Sequence, residues 1–354
     1  AAIPGGALRA AKSTDPTSGQ MFRVFLVVRN RERGVVGKVF GSTTADPATG
    51  QLTASFRENP QLPLERVKVS LKGGQRGVLR TPQGCGARSW RAELAPWSAR
   101  FGAVGPLVQS GALPISSRCG LAFSPRFSAG VDGRRGGGHP GRFSFRVERR
   151  DGEQWVRSVT ARLPDGLLAS LRGVTRCTNA QLAAYDPGSG GMPCPANSRI
   201  GTVDAAAGAG DPFVLERKGA AYLTEGYKGA PYGMAVVVPV ETGPFTGPYA
   251  LDTIVVRQAL HVNRRSAQVT VVSDPLPLVH HGIPLAMRSA TVAVDRRDFI
   301  RNPSDCSPKR IDATFAGASG GTANGSVPFR ASRCAALRFR PRLAMRLVGR
   351  RQTR

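Results

Sequence analysis

Ser332-Arg333-Cys334-Ala335-Ala336-Leu337-Arg338-Phe339-Arg340-Pro341-Arg342-Leu343 repeats, with small changes, Ser117-Arg118-Cys119-Gly120-Leu121-Ala122-Phe123-Ser124-Pro125-Arg126-Phe127. The match in residue type and order is too long to be composition alone, and it marks an internal duplication. In the first copy the phrase runs on into further chain. In the second it continues as Ala344-Met345-Arg346-Leu347, with apolar and basic residues alternating as in a strand with one buried face.

Other segments repeat in the same order. Residues 6–21 (GALRAAKSTDPTSGQM) parallel 219–234 (GAAYLTEGYKGAPYGM), and each precedes an apolar strand. The turns at Asp46-Pro47-Ala48-Thr49-Gly50 and Asn263-Arg264-Arg265-Ser266 each lead into another strand, as hairpin chemistry requires. Arg80-Thr81-Pro82-Gln83-Gly84-Cys85 matches Arg301-Asn302-Pro303-Ser304-Asp305-Cys306, a cysteine just past an Xaa-Pro turn. Each copy, roughly 120 residues, is the size of one β-sandwich domain. The expected fold is all-β, with two homologous β-sandwich domains (1–130 and 218–345) flanking a smaller β-rich middle domain (131–217). A basic tail, 346–354, follows. The middle unit holds the one helix pattern, 178–185, with Thr178 or Asn179 as N-cap.

Gly 43 and Pro 27 in 354 residues, with few aromatics and no long amphipathic period, fit a turn-rich all-β chain. The longest apolar run, 234–240, is too short to cross a bilayer as a helix. The opening Ala1-Ala2 fits a processed, exported chain. Cys85, Cys119, Cys177, Cys194, Cys306 and Cys334 show no C-x-x-C spacing, so nearest-neighbour disulfides are the economical reading. Closed loops of that size each add about 3 kcal/mol in the chain-entropy model. Oxidised cysteines imply an exported chain, secreted or at the cell surface, with the cytosol of hyperthermophiles as the exception. The net charge of +27 admits contact with polyanions or acidic glycans. Arginines scattered singly through strands, without a nucleic-acid-binding motif, disfavour a dedicated nucleic-acid function.

No constellation reads as catalytic, and no metal or cofactor set emerges. Gly317-Ala318-Ser319-Gly320-Gly321 has the G-x-S-x-G form but sits between two strands, not between strand and helix. Adjacent His280 and His281 on a strand would point to opposite faces. Tyr222, Tyr227, Tyr232 and Tyr249 could stack on sugars, but core packing is favoured. Arg134-Arg135-Gly136-Gly137-Gly138 lacks the lysine and helix of a phosphate loop.

Residues 163–171 (LPDGLLASL), 194–203 (CPANSRIGTV), 222–239 (YLTEGYKGAPYGMAVVVP), 270–284 (TVVSDPLPLVHHGIP) and 295–306 (DRRDFIRNPSDC) resemble a family of secreted, cell-surface β-domain repeat proteins of actinobacteria, especially deep-branching soil and thermal lineages. The resemblance implies export, β-domain architecture and an extracellular location. It brings no catalytic residues.

The terminal stretch carries the functional expectation. Leu337, Phe339, Leu343, Met345 and Leu347 form one apolar set of an extended strand whose partner would be another molecule. Head-to-tail self-association by β-strand addition is the expected mode, making the chain a structural subunit of a filament, sheath or surface layer. The alternative is a secreted binding module for acidic glycans or nucleic acid.

Overall fold

The structure, a computed structural model, describes residues 6–12, 20–30, 32, 34–57, 59, 70–71, 79, 81–97, 105–117, 121–132, 136–187, 191–208, 210–241, 250–337 and 342–346. The chain opens with a four-stranded antiparallel meander, β1 (Gly6–Lys12), β2 (Gln20–Asn30), β3 (Val35–Ala45) and β4 (Leu52–Phe56). A two-stranded hairpin follows, β5 (Gly86–Leu94) and β6 (Leu107–Ile115).

Most later strands join one 13-stranded sheet. Its members begin with β7 (Arg126–Asp132), β8 (Pro140–Glu148), β9 (Val156–Arg162), β10 (Leu168–Ala169) and β11 (Arg199–Ala207). The sheet continues through β12 (Phe213–Thr224), β13 (Tyr232–Glu241), β14 (Ala250–Val262) and β15 (Val269–Ser273). A small hairpin, β16 (Val279–His280) and β17 (Ile283–Pro284), stands apart. The sheet is completed by β18 (Met287–Val294), β19 (Ile300–Arg301), β20 (Lys309–Gly317) and β21 (Thr322–Phe329). The spatial order runs β7-β8-β18-β11-β12-β13-β14-β15-β9-β20-β21, with β10 and β19 beside the start of β8.

The sheet curls until its two ends meet. The Phe127 ring of β7 lies 5.8 Å from that of Phe315 on β20, and it lies so close over Gly325 of β21 that a Cβ there would come within 2.7 Å of it. Val131 and Phe143 from one end share a buried cluster with Ile311 and Phe329 from the other. Period-two alternation supplies this interior, with Tyr232, Met234, Val236, Val238 and Val240 on β13 beside Ile254, Val256, Gln258, Leu260 and Val262 on β14.

The all-β expectation holds, with a large curled sheet as its centre. Among the described residues the segment 131–217 forms no sheet of its own. Its β9 lies between β15 and β20, and its β11 lies between β12 and β18. The reason is hydrogen bonding: without these strands the edges of β12, β15, β18 and β20 would be left with unpaired backbone groups. On the outer face sits α1 (Asn179–Ala183), closed by a capping box in which Thr178 Oγ1 accepts from Gln181 N–H and Gln181 Oε1 accepts from Thr178 N–H. Leu182 anchors it on Tyr222, Val237 and Val255.

Candidate functional site

The duplication is written in the backbone. β1 to β4 and β12 to β15 are the same meander in the same order. In the first β3–β4 turn Asp46 N–H donates to Gln51 O at 2.8 Å, Gly50 N–H donates to Asp46 O at 2.8 Å, and Asp46 Oδ1 accepts from the amides of Ala48 and Thr49. In the second, Asn263 N–H donates to Gln268 O at 2.9 Å, Ala267 N–H donates to Asn263 O at 2.8 Å, and Asn263 Oδ1 accepts from the amides of Arg265 and Ser266. Gly50 and Ala267 both take positive φ, 71° and 58°. Hairpin β5–β6, which starts beside Cys85, corresponds to β20–β21, which follows Cys306.

The copies differ in what covers them. In the second, β9 pairs with both β15 and β20, and the ring of Phe127 on β7 packs on Phe145 at 5.0 Å and on Phe315 at 5.8 Å. Ile311, Ala313 and Phe315 of β20 are consequently 0%, 3% and 1% exposed. Trp90 and Leu94, which hold the places of Ile311 and Phe315 in β5, are 46% and 54% exposed. Leu107, Leu113, Leu52 and Phe56 are exposed as well. Among the described residues β4 ends its sheet, and no third strand flanks β5–β6.

The residues expected to form an assembly strand are divided by the structure. Leu337 is not part of a free strand. It follows a short 3₁₀ turn, Cys334–Ala336, and lies against Gly137 and Gly138 of its own chain. Phe339 and Leu347 lie outside the described residues. Leu343 and Met345 sit in 342–346, a stretch with no strand partner among the described residues, and are 89% and 86% exposed. In the repeated phrase Leu343 occupies the place of Phe127 and Met345 that of Ala129, so 342–346 corresponds to β7.

Cys177 is bonded to Cys194 and Cys306 to Cys334. Cys85 is also disulfide-bonded, and Cys119 lies outside the described residues. The Cys306–Cys334 bridge has a role that spacing alone does not reveal. Gly137 N–H donates to Ser332 O at 2.7 Å, and a Cβ on Gly137 would lie 2.8 Å from Cys334 Sγ. Gly137 of the β7–β8 connection is therefore there for close approach to the disulfide.

The remaining sequence candidates are occupied structurally. Gly317 to Gly321 is a β-hairpin turn, with Gly317 N–H donating to Gly321 O. His281 Nε2 lies 2.7 Å from Asp252 Oδ2, and the neighbouring Gly282 N–H donates to Pro47 O, so this hairpin braces the first meander. Tyr222 is buried, Tyr232 faces the interior and Tyr249 lies outside the described residues. Tyr227 donates to Asp274 at 2.6 Å, and the Arg257 guanidinium stacks on one face of its ring at 3.6 Å. Its bond to Asp274, followed by burial, raises the phenol pKa. Among the described residues no group of three or more His, Cys, Asp or Glu side chains comes together as a metal site would require.

What fold and surface define is a disulfide-bonded all-β chain centred on one large curled sheet, with a smaller meander and hairpin whose apolar side chains are exposed among the described residues. Comparison with family models, with curated proteins and with solved structures finds no match. Among the described residues no helix is long and apolar enough to cross a membrane.

Proposed function

We propose that the chain is a structural subunit of an extracellular assembly, joined head to tail. Segment 342–346 of one molecule takes, against hairpin β5–β6 of the next, the place that β7 takes against β20–β21. Leu343 then packs over Leu94 as Phe127 packs over Phe315. The observation that carries this reading is the contrast between Phe315 at 1% and Leu94 at 54% exposure, at matching places in matching hairpins. Such a contact joins two different surfaces, so it propagates as a filament or closes as a ring. Covalent loops closed at Cys177–Cys194 and Cys306–Cys334 suit a protein exposed to an oxidising medium. A tail truncated after Leu337 is the test. Electron microscopy and sedimentation should show the full chain as oligomers or filaments and the truncated chain as monomer. Assemblies formed equally well by both would sink the reading.

A further inference from the structure

The curled sheet encloses a cavity of about 490 Å³. That lies within the range of small-molecule sites and is roughly three times the volume of an engineered apolar cavity that holds benzene. By that scale it accommodates on the order of 20 carbon atoms. Its walls are mainly Val, Leu, Ile, Phe, Ala and Met side chains, and among the described residues no Lys, Arg, His, Asp or Glu lines it. Leu168, Leu171 and Val262 line it and are also 39%, 39% and 37% exposed, and Phe213, toward the opposite end of the strands, lines it at 46%, so its apolar wall reaches solvent at both ends.

One polar side chain breaks the apolar period of β14. Gln258 stands in the interior row between Val256 and Leu260, in register with Met234 on one side and Ser273 on the other. It is 7% exposed, and its Oε1 is buried without a hydrogen-bond donor. Ser273 Oγ is used as acceptor by Val159 N–H at 2.9 Å. The first meander, β1 to β4, forms without such an amide. There the corresponding cross-strand pair is Gly41 with Phe56, and the Phe56 ring lies where a side chain on Gly41 would go, 2.6 Å from an ideal Cβ.

We propose that the cavity binds one elongated neutral molecule, a hydrocarbon chain bearing a hydroxyl, with the hydroxyl donating to Gln258 Oε1. An acceptor deep in an apolar space selects a donor, and the lack of a cation among the described lining residues disfavours an ionised carboxylate head. This site is independent of head-to-tail association, since the surfaces involved are different.

Equilibrium binding of radiolabelled hexadecan-1-ol to the full chain tests it, with n-hexadecane and hexadecanoate as comparisons. Saturable 1:1 binding of the alcohol is expected, with hexadecane weaker by roughly three- to tenfold, the worth of one neutral hydrogen bond. Gln258→Leu should lower alcohol affinity to the alkane level and leave alkane affinity unchanged. Ala290→Phe, which pushes a ring into the cavity, should abolish both while the far-UV circular dichroism stays that of the parent. No saturable binding to the parent chain, hexadecanoate preferred over the alcohol, or undiminished alcohol binding by Gln258→Leu would each overturn the proposal.

Discussion

Replacing Leu343 and Met345 together by alanine separates assembly from folding. Both side chains are open to solvent in the free chain, at 89% and 86% exposure, so their loss should change monomer stability by less than about 0.5 kcal/mol. In the docked state each removes about three methylene equivalents, Leu343 from a contact that copies the packing of Phe127 on Phe315 and Met345 from the place of Ala129 beside it. At about 0.8 kcal/mol per buried methylene, that is roughly 2 kcal/mol per site and about 4 to 5 kcal/mol for the pair. The association constant should fall roughly a thousandfold. Sedimentation velocity over a concentration series reads the association, and a thermal melt of dilute protein reads the fold. Leu94→Ala on the receiving hairpin should act in the same direction. Combined with Leu343→Ala it should cost less than the sum, as groups in direct contact do. Unchanged association, or a melting temperature lowered by several degrees, would refute the reasoning: the first denies the interface, and the second says that the residues are packed within their own chain.

Phe315→Ala should destabilise the chain by about 3 to 5 kcal/mol through cavity formation, while Leu94→Ala in unassembled protein should stay within about 0.5 kcal/mol, as denaturant titration would show. Serine at both Cys306 and Cys334 should cost roughly 3 to 4 kcal/mol for a closed loop of separation 28, and a loss under about 1 kcal/mol would contradict its place behind the β7–β8 connection. Lys309 Nζ lies 3.1 Å from both Asp165 and Asp305, and a pH series on Lys309→Met against the parent should report that cluster. Hydrogen bonds from Ser307 and then Lys309 hold the Asp305 carboxyl below its ordinary 3.8, so its contribution is present above that value and is lost as pH falls through the lower folded pKa. Burial opposes the Lys309 charge, but its bonds to Asp165 and Asp305 outweigh this and hold its pKa above 10.5. Its contribution is therefore full below 10.5 and lost as pH rises through the folded value. The stability difference should be flat between about pH 4 and about pH 10 and shrink outside that window.

The duplication and its meanders are legible in the sequence because turn chemistry is local. Asp46 and Asn263 announce their turns with side-chain oxygens that bond amides two and three residues on. The alternation of β13 and β14 is equally plain. What could not be read is which strand lies beside which. Val156–Arg162 looks like any half-buried strand, and its position between β15 and β20 depends on partners far along the chain. The expectation of a smaller β-rich middle unit, 131–217, joined closely to both copies said nothing of which strands it would lend them. The uncovered hairpin was missed for a related reason: Trp90 and Leu94 have the spacing of a buried face, and only the lack, among the described residues, of a β9 beside them leaves them exposed. Gln258 did leave a signal, a lone amide in the phase of Ile254, Val256, Leu260 and Val262, but a single polar residue in a strand carries no chemistry until the space before it is known.

The insertion of β9 also sets an order of events during synthesis. This strand emerges with both of its sheet neighbours still to be made, and Val159 must wait for Ser273, 114 residues later, before its amide finds its acceptor. Pairings of that sequence separation form slowly, and a strand with two open edges is adhesive in the interval. The second copy thus closes onto a strand already waiting for it, and the same edge chemistry that completes the sheet makes nascent chains prone to capture one another until β20 arrives.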